Sequence, residues 1–329
     1  MTDKSIIAGT ERNGTERNGS RILRGDSVEM LKTIPDGTAD CCVTSPPYYG
    51  LRDYGKEGQI GLEETPDEYI DGLVSVFREV RRVLRDDGTL WLNIGDSYAG
   101  NSNRGTKLQG NPEFNKNRPS RELTLLPKKS VPNSCKPKDL IGIPWMLAFA
   151  LRDDGWYLRQ DIIWHKTNPM PESVRDRCTK SHEYIFLFSK KPKYYFDSDA
   201  IKENAKPDNS VRDRDHSKLN NTPGRTRMGG LKTNHYTKRN KRDVWRIATR
   251  PYKEAHFATF PEQLIEPCIL AGSRPDGIVL DPFFGSGTTG VVAEKYGRRY
   301  IGVELSEEYI ELAKKRLDGV QMTLPIVGI

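Results

Sequence analysis

"IVLDPFFGSGTTGVVAEKYGRRYIGVEL", residues 278–305, changes its periodicity three times. An apolar run ends at Asp281 and a glycine-rich run follows. "TTGVVAEK" then has helical character, and a second apolar run closes on Glu304. Strand, loop, helix and strand in that order predict a βαβ unit of a parallel sheet. Gly285, Gly287 and Gly290 spell G-x-G-x-x-G, and Glu304 comes 19 residues after Gly285. Glycines allow the backbone to pass close beneath a nucleoside, and a carboxylate closing the second strand can accept both ribose hydroxyls. Simple helix–strand packing is the competing account of the same glycines.

A dinucleotide domain would need several more βα units after its glycine loop. Here only one strand and one helix follow the loop's own helix before the chain ends, so the rest of the sheet must lie upstream. Asp281 and Phe283 in "DPFFGSG" suit an amino-acid ammonium and an adenosine face better than a pyrophosphate. Both points favour S-adenosyl-L-methionine over a nicotinamide cofactor.

Upstream, elements alternate. Residues 21–44 read as strand, short helix, turn and strand, and 67–84 as an amphipathic helix. "DDGTLWLNIGDS" reads as a turn and a strand, "IPWMLAFALRDDGW" as a helix, and "LRQDIIWHK" and "SHEYIFLFSK" as strands. "FPEQLIEPCILAG" is a helix leading into residue 278. The pattern predicts an α/β fold with a mainly parallel, doubly wound sheet.

Basic stretches interrupt it. Residues 101–140 carry nine Lys/Arg against three Asp/Glu, and 201–250 carry fourteen against five. The second stretch alone exceeds the +7 of the whole 329-residue chain, so the positive charge is concentrated. Concentrated Lys and Arg suit a polyanion, since phosphate contacts release counterions; a solvated loop is the plainer alternative. The polar first 20 residues, with a doubled "TERNG", read as a disordered tail. No apolar run is long enough to span a membrane. Five cysteines without CxxC spacing or histidine clusters point to a reduced, metal-free, cytoplasmic protein.

"TSPPY" at 44–48 and "DPFFGSG" at 281–287 together resemble the β group of DNA amino-methyltransferases, which modify N4 of cytosine or N6 of adenine. "RGDSVEML", "IIWHKTNPMP", "HEYIFLFSK" and "HFATFPEQLIEPCI" extend the likeness over roughly residues 21–316, apart from the two basic insertions. The resemblance implies a circularly permuted, Rossmann-like, S-adenosylmethionine-dependent fold. Its catalytic half is 21–196 with a loop insertion at about 98–139. A target-recognition region at 197–250 and a cofactor half at 251–329 complete it.

It further implies catalytic roles for Ser45, Pro46, Pro47 and Tyr48. An exocyclic amine is a poor nucleophile because its lone pair is delocalised. Ser45 Oγ and the Pro46 carbonyl would accept its two N–H bonds, prolines stiffen the turn without offering donors, and Tyr48 would stack on an extruded base. By resemblance, serine in the first position is typical of N4-cytosine enzymes, and Asp or Asn of N6-adenine enzymes. The cofactor would contact Asp26, Phe260, Asp281, Phe283, Gly285, Ser286, Gly287, Thr288 and Glu304. The target base or DNA would meet Trp164, Lys166, Asn168, Arg225, Arg227 and Arg242. His182 and Glu183 match a family pair, with a structural histidine as an equal account, and Arg52, Asp53 and Tyr54 are expected to order the catalytic loop. Double-stranded DNA is the implied partner, and an RNA or other amine acceptor is the alternative. A cognate restriction endonuclease is a further implied companion, and monomer and homodimer both stay open. Cys41 and Cys42, inside an apolar strand, read as core rather than as a C5-cytosine nucleophile.

Overall fold

The computed structural model describes residues 14–17, 19–51, 55–56, 58–100, 135–205, 237–250 and 260–320. Its centre is a nine-stranded sheet in the order β1-β2-β11-β10-β3-β4-β6-β5-β9. These strands are β1 (Gly14–Arg17), β2 (Ser20–Arg24), β3 (Ala39–Thr44), β4 (Leu84–Ile94), β5 (Tyr157–Lys166), β6 (His182–Ser189), β9 (Val244–Ile247), β10 (Ile278–Asp281) and β11 (Arg299–Glu304). β7 (Glu203–Asn204) and β8 (Lys238–Arg239) pair separately. In the large sheet only β1 and β6 run against the other strands, so it is mainly parallel.

Alternation along the strands sends side chains to two separate cores. On one face Cys42, Leu90, Leu92, Phe186, Phe188 and Leu280 pack under α1 (Ser27–Lys32), α2 (Pro66–Val83) and α3 (Ile143–Asp153). On the other, Cys41, Val43, Trp91, Leu187 and Val279 pack under α4 (Glu262–Gly272), α5 (Thr288–Lys295) and α6 (Glu307–Asp318). The adjacent cysteines thus face opposite cores. Burial pushes both thiols up, away from the thiolate that ring attack would need.

The helices start where their sequences supply caps. Thr65 and Glu68 close a reciprocal capping box with Pro66 in the first turn of α2, an arrangement contributing about 1 kcal/mol. α3 begins after Gly142 without a cap of its own, and Asp96 Oδ1 accepts from the N–H groups of Gly142 and Ile143 at 3.0 and 3.1 Å.

Two expectations need correction. Residues 14–17 are a strand pairing antiparallel with β2, Arg17 opposite Ser20, so this part of the expected tail joins the sheet edge. Asn-Gly at 18–19 is the dipeptide favoured in two-residue hairpin turns, and Gly19 has φ +76°. Residues 1–13 lie outside the described residues. Likewise "RDDG" at 85–88 does not precede β4 as a turn. It bulges within the strand, whose pairing with β3 jumps from Ala39–Leu84 to Cys41–Thr89.

Chain direction reverses its progress across the sheet between β10 and β3. From β3 the next strand lies on one side, and from β10 the next lies on the other. Crevices at such switch points, outside the carboxyl ends of the strands, are where open α/β sheets bind ligands.

Candidate active site

β3 and β10 are parallel neighbours, with Cys41 opposite Val279 and Cys42 opposite Leu280, so "SPPY" and the glycine loop leave the sheet side by side. Asp281 fastens them together. Its carboxylate accepts from Thr44 Oγ1 and Thr289 Oγ1, each at 2.6 Å, and from the Phe283 N–H at 3.0 Å. Burial raises its pKa to about 6, against the pull of those three donors. In the sequence alone, Asp281 suits an ammonium group. Instead it is 1% exposed, and its lone pairs serve the junction of β3, the glycine loop and α5.

The three glycines differ in role. A Cβ on Gly290 would lie 2.6 Å from the ring of Phe284, and one on Gly302 of β11 would lie 2.3 Å from it. Phe284 fills that space, stacked on Tyr300 with centroids 5.3 Å apart, so Gly290 serves packing. Gly285, at φ +50°, has nothing closer to a notional Cβ than the Phe283 carbonyl at 3.9 Å, and the loop is open above it. The Gly285 N–H donates to Glu304 Oε2 at 2.8 Å, and the Ser306 N–H donates to Oε1 at 2.7 Å. Burial raises the pKa of Glu304.

Ser286 and Thr288, expected to face the cofactor, are buried and held from behind. Arg316 of α6 donates to Ser286 O, Ser286 Oγ and Thr288 Oγ1 at 2.8, 2.8 and 2.9 Å. No sequence signal separated Arg316 from the other basic residues of its helix. Asp26 caps α1, accepting from the Val28 and Glu29 N–H groups at 2.9 and 3.1 Å. Its turn lies against the same edge, since the Gly25 N–H donates to Glu304 O and Ser27 Oγ donates to Pro282 O. Phe283 and Phe260 are partly buried, packed on opposite cores.

The two tyrosines after the prolines divide inward and outward. Tyr49 is buried, donates to Glu64 O at 3.1 Å and packs on Tyr69, which secures the turn. Tyr69 in turn donates to the Pro47 carbonyl at 2.7 Å. No described residue donates to the Pro46 carbonyl. Tyr48 is half-buried beside Gly95, where a Cβ would come within 2.7 Å of its ring. Its hydroxyl donates to Glu183 Oε2 at 2.7 Å and lies 3.3 Å from Asn93 Oδ1; Ser45 Oγ donates to it at 3.5 Å. Lys166 Nζ forms an ion pair with Glu183 Oε1 and sits over the Trp164 ring. Burial first, then the Glu183 charge, push the Tyr48 hydroxyl well above the usual phenol range. No sequence signal distinguishes Asn93 or Gly95, and Glu183 shows in sequence only as half of a family pair.

The expected target-base residues separate. Lys166 joins the Tyr48 cluster rather than standing free for a phosphate. Trp164 is buried and donates to Ile247 O at 2.9 Å, joining β5 to β9, with Lys166 over its ring. Asn168 is occupied too, bonded through both amide atoms to Thr249. Arg242 is exposed and donates to Glu203 at 2.7 Å, with Arg239 on the same carboxylate. Arg225, Arg227, Arg52, Asp53 and Tyr54 lie outside the described residues, as does most of the 98–139 insertion.

The proline turn and the glycine loop leave the sheet side by side at the switch point, and comparison with known proteins identifies the family. The family model described as DNA methylase matches residues 39–315. The type II methyltransferase M.SmaI of Serratia marcescens is 50% identical over 297 residues, covering 90% of this chain and 90% of its own. M.Cfr9I of Citrobacter freundii is 48% identical over 304 residues, covering 92% and 89%. Among solved structures, the PvuII DNA methyltransferase (cytosine-N4-specific) has a TM-score of 0.59 at 20% identity, over 90% of this chain and 85% of that one. A Thermus thermophilus DNA modification methylase complexed with S-adenosyl-L-methionine has a TM-score of 0.54 at 24% identity, over 90% and 92%. These two share the fold. The chain belongs to the DNA methylase family of the N6/N4 amino-methyltransferases. It is a type II DNA methyltransferase, and its methyl donor is S-adenosyl-L-methionine.

Proposed function

We propose that this enzyme methylates the exocyclic N4 of cytosine in duplex DNA, at a base turned out of the helix. The carrying observation is a serine, Ser45, at the head of an acceptor turn whose Pro46 carbonyl takes no donor from the described residues. Two acceptors on one edge suit an amine with two N–H bonds. Holding both lets the nitrogen lone pair localise as displacement proceeds, with positioning as the main catalytic contribution. The Tyr48 ring offers a face on which the extruded base recovers part of its lost stacking.

The opposite edge fits the donor molecule. Open space above Gly285 admits a close approach, and Glu304 at the adjacent strand end, whose partners are backbone N–H groups and whose carboxylate keeps accepting capacity beside them, suits ribose hydroxyls. Asp26 and Phe283 border the same edge and suit the adenine, and Phe260 the methionine end. Bound there, S-adenosyl-L-methionine supplies an activated methyl group on sulfur. Ser45 and Pro46 orient the amine towards it.

DNA contacts fall to the basic region 197–250, where Arg242 and its neighbours would meet phosphate or base edges. The cytoplasm is the corresponding location, with a restriction endonuclease that cuts the same unmodified site as companion. Among the described residues no helix is long and apolar enough to cross a membrane.

The test is label transfer from the tritiated cofactor to unmethylated duplex DNA and to RNA, followed by digestion and mass analysis of nucleosides. N4-methylcytosine from DNA is the expected product. N6-methyladenine would overturn the base assignment, and label in RNA alone would overturn the acceptor.

A further inference from the structure

A hydroxyl can donate or accept, so serine at the head of this turn is ambiguous where an aspartate or asparagine would present a dedicated acceptor oxygen. Something must set its direction. Ser45 Oγ, Tyr48 OH and Glu183 Oε2 form a chain with separations of 3.5 and 2.7 Å, ending at a carboxylate between β5 and β4. We infer that Glu183 is a positioning residue which, acting through Tyr48, turns the Ser45 hydroxyl so that its lone pairs face the target amine. The inference rests on the reading of Ser45 as an acceptor for that amine.

The carboxylate end of the chain accepts only. Asn93 Nδ2 donates to Glu183 Oε2 at 3.3 Å and to Tyr184 O at 3.0 Å, and Lys166 holds Oε1. Each partner of Glu183 is therefore a donor, and Tyr48 must donate as well. Burial and the neighbouring charge keep the phenol protonated, which preserves that sense. With its one proton committed to Glu183, the Tyr48 oxygen can only accept from Ser45. Ser45, having donated, has only lone pairs left for the cleft. The Ser45–Tyr48 separation is the long link, of the kind that tightens when a substrate polarises the chain. Gly95 belongs to the same arrangement, since a side chain there would displace the Tyr48 ring.

The test uses the full chain, tritiated cofactor and unmethylated duplex DNA, with Ser45→Ala, Glu183→Gln, Tyr48→Phe and the Glu183→Gln/Tyr48→Phe double variant. Glutamine keeps the shape of Glu183 but lets its amide donate, and phenylalanine keeps the ring but cuts the chain. Glu183→Gln and Tyr48→Phe are each expected to lower kcat about 10- to 100-fold while KM for both substrates stays within about twofold. The double variant should be no slower than its slower parent, because both changes break one unit. Losses that multiply, unchanged kcat, or effects confined to KM or Tm would overturn the inference. Should Glu183→Gln fail to fold, Tyr48→Phe alone decides on the kcat-against-KM split. Ser45→Ala separates the two levels: if it keeps full activity the acceptor reading itself fails, whereas if it is inactive and the other losses multiply, only the role of Glu183 fails.

Discussion

Two turns leave the same sheet edge on adjacent strands, and they are chemical opposites. After β3 come two prolines, which contribute carbonyls and no N–H; the Pro47 carbonyl is taken by Tyr69, and the Pro46 carbonyl accepts from none of the described residues. After β10 come glycines, a donated N–H at Gly285 and the start of α5, where the first N–H groups have no helical partner. One turn carries carbonyls without N–H groups and the other carries N–H groups at a helix start. A reaction that brings an amine to a cofactor bearing hydroxyls and a carboxylate needs both, within reach of one another. The Thr44–Asp281–Thr289 clamp holds them at a fixed separation.

The largest effect should come from the acceptor side alone. Ser45→Ala is expected to lower kcat about 10²- to 10³-fold, with cofactor affinity by calorimetry unchanged within about twofold. Equal damage to affinity would mean that the two turns do not divide the work. The clamp comes next. Because the folded state holds the Asp281 proton more tightly than the unfolded chain, its contribution to stability is present at low pH and is lost as pH rises from about 4 through about 6. Relative to Asp281→Asn, the wild type should therefore lose up to about 3 kcal/mol across that window and then level off. Denaturant unfolding of both proteins at several pH values reads this directly, and parallel curves would reject the upward shift of Asp281 by burial. The smallest effect falls on the donor side. Gly285→Val forces a branched residue to φ +50° and should weaken cofactor binding about tenfold, leaving DNA affinity unchanged.

Much of this was readable in the chain. The βαβ unit at 278–304 stands as its periodicity predicts, and so do α2, α3 and the strands flanking the site. Long apolar stretches at a clear period are decided locally, by burial of one face or both. The misread tail had a local signal, Asn-Gly at 18–19, that its polar composition masked. The bulge in β4 had none: Asp-Asp-Gly describes a turn equally well, and only pairing with β3 keeps it inside a strand.

The site divides along the same line. Residue types and spacing alone determined that a strand ends in an acceptor turn and another in a glycine loop, because proline and glycine act on their own backbone. Tertiary structure decided which atoms remain available. Asp281, Ser286, Thr288, Trp164 and Asn168 look like ligand contacts in one dimension, and each also has a partner within the fold: Thr44, Arg316, Ile247 or Thr249. Glu183 reaches Tyr48 across 135 positions of sequence. Hydrogen-bond capacity is finite and buried groups must satisfy it, so a residue's function depends on partners that only the folded chain brings within 3 Å.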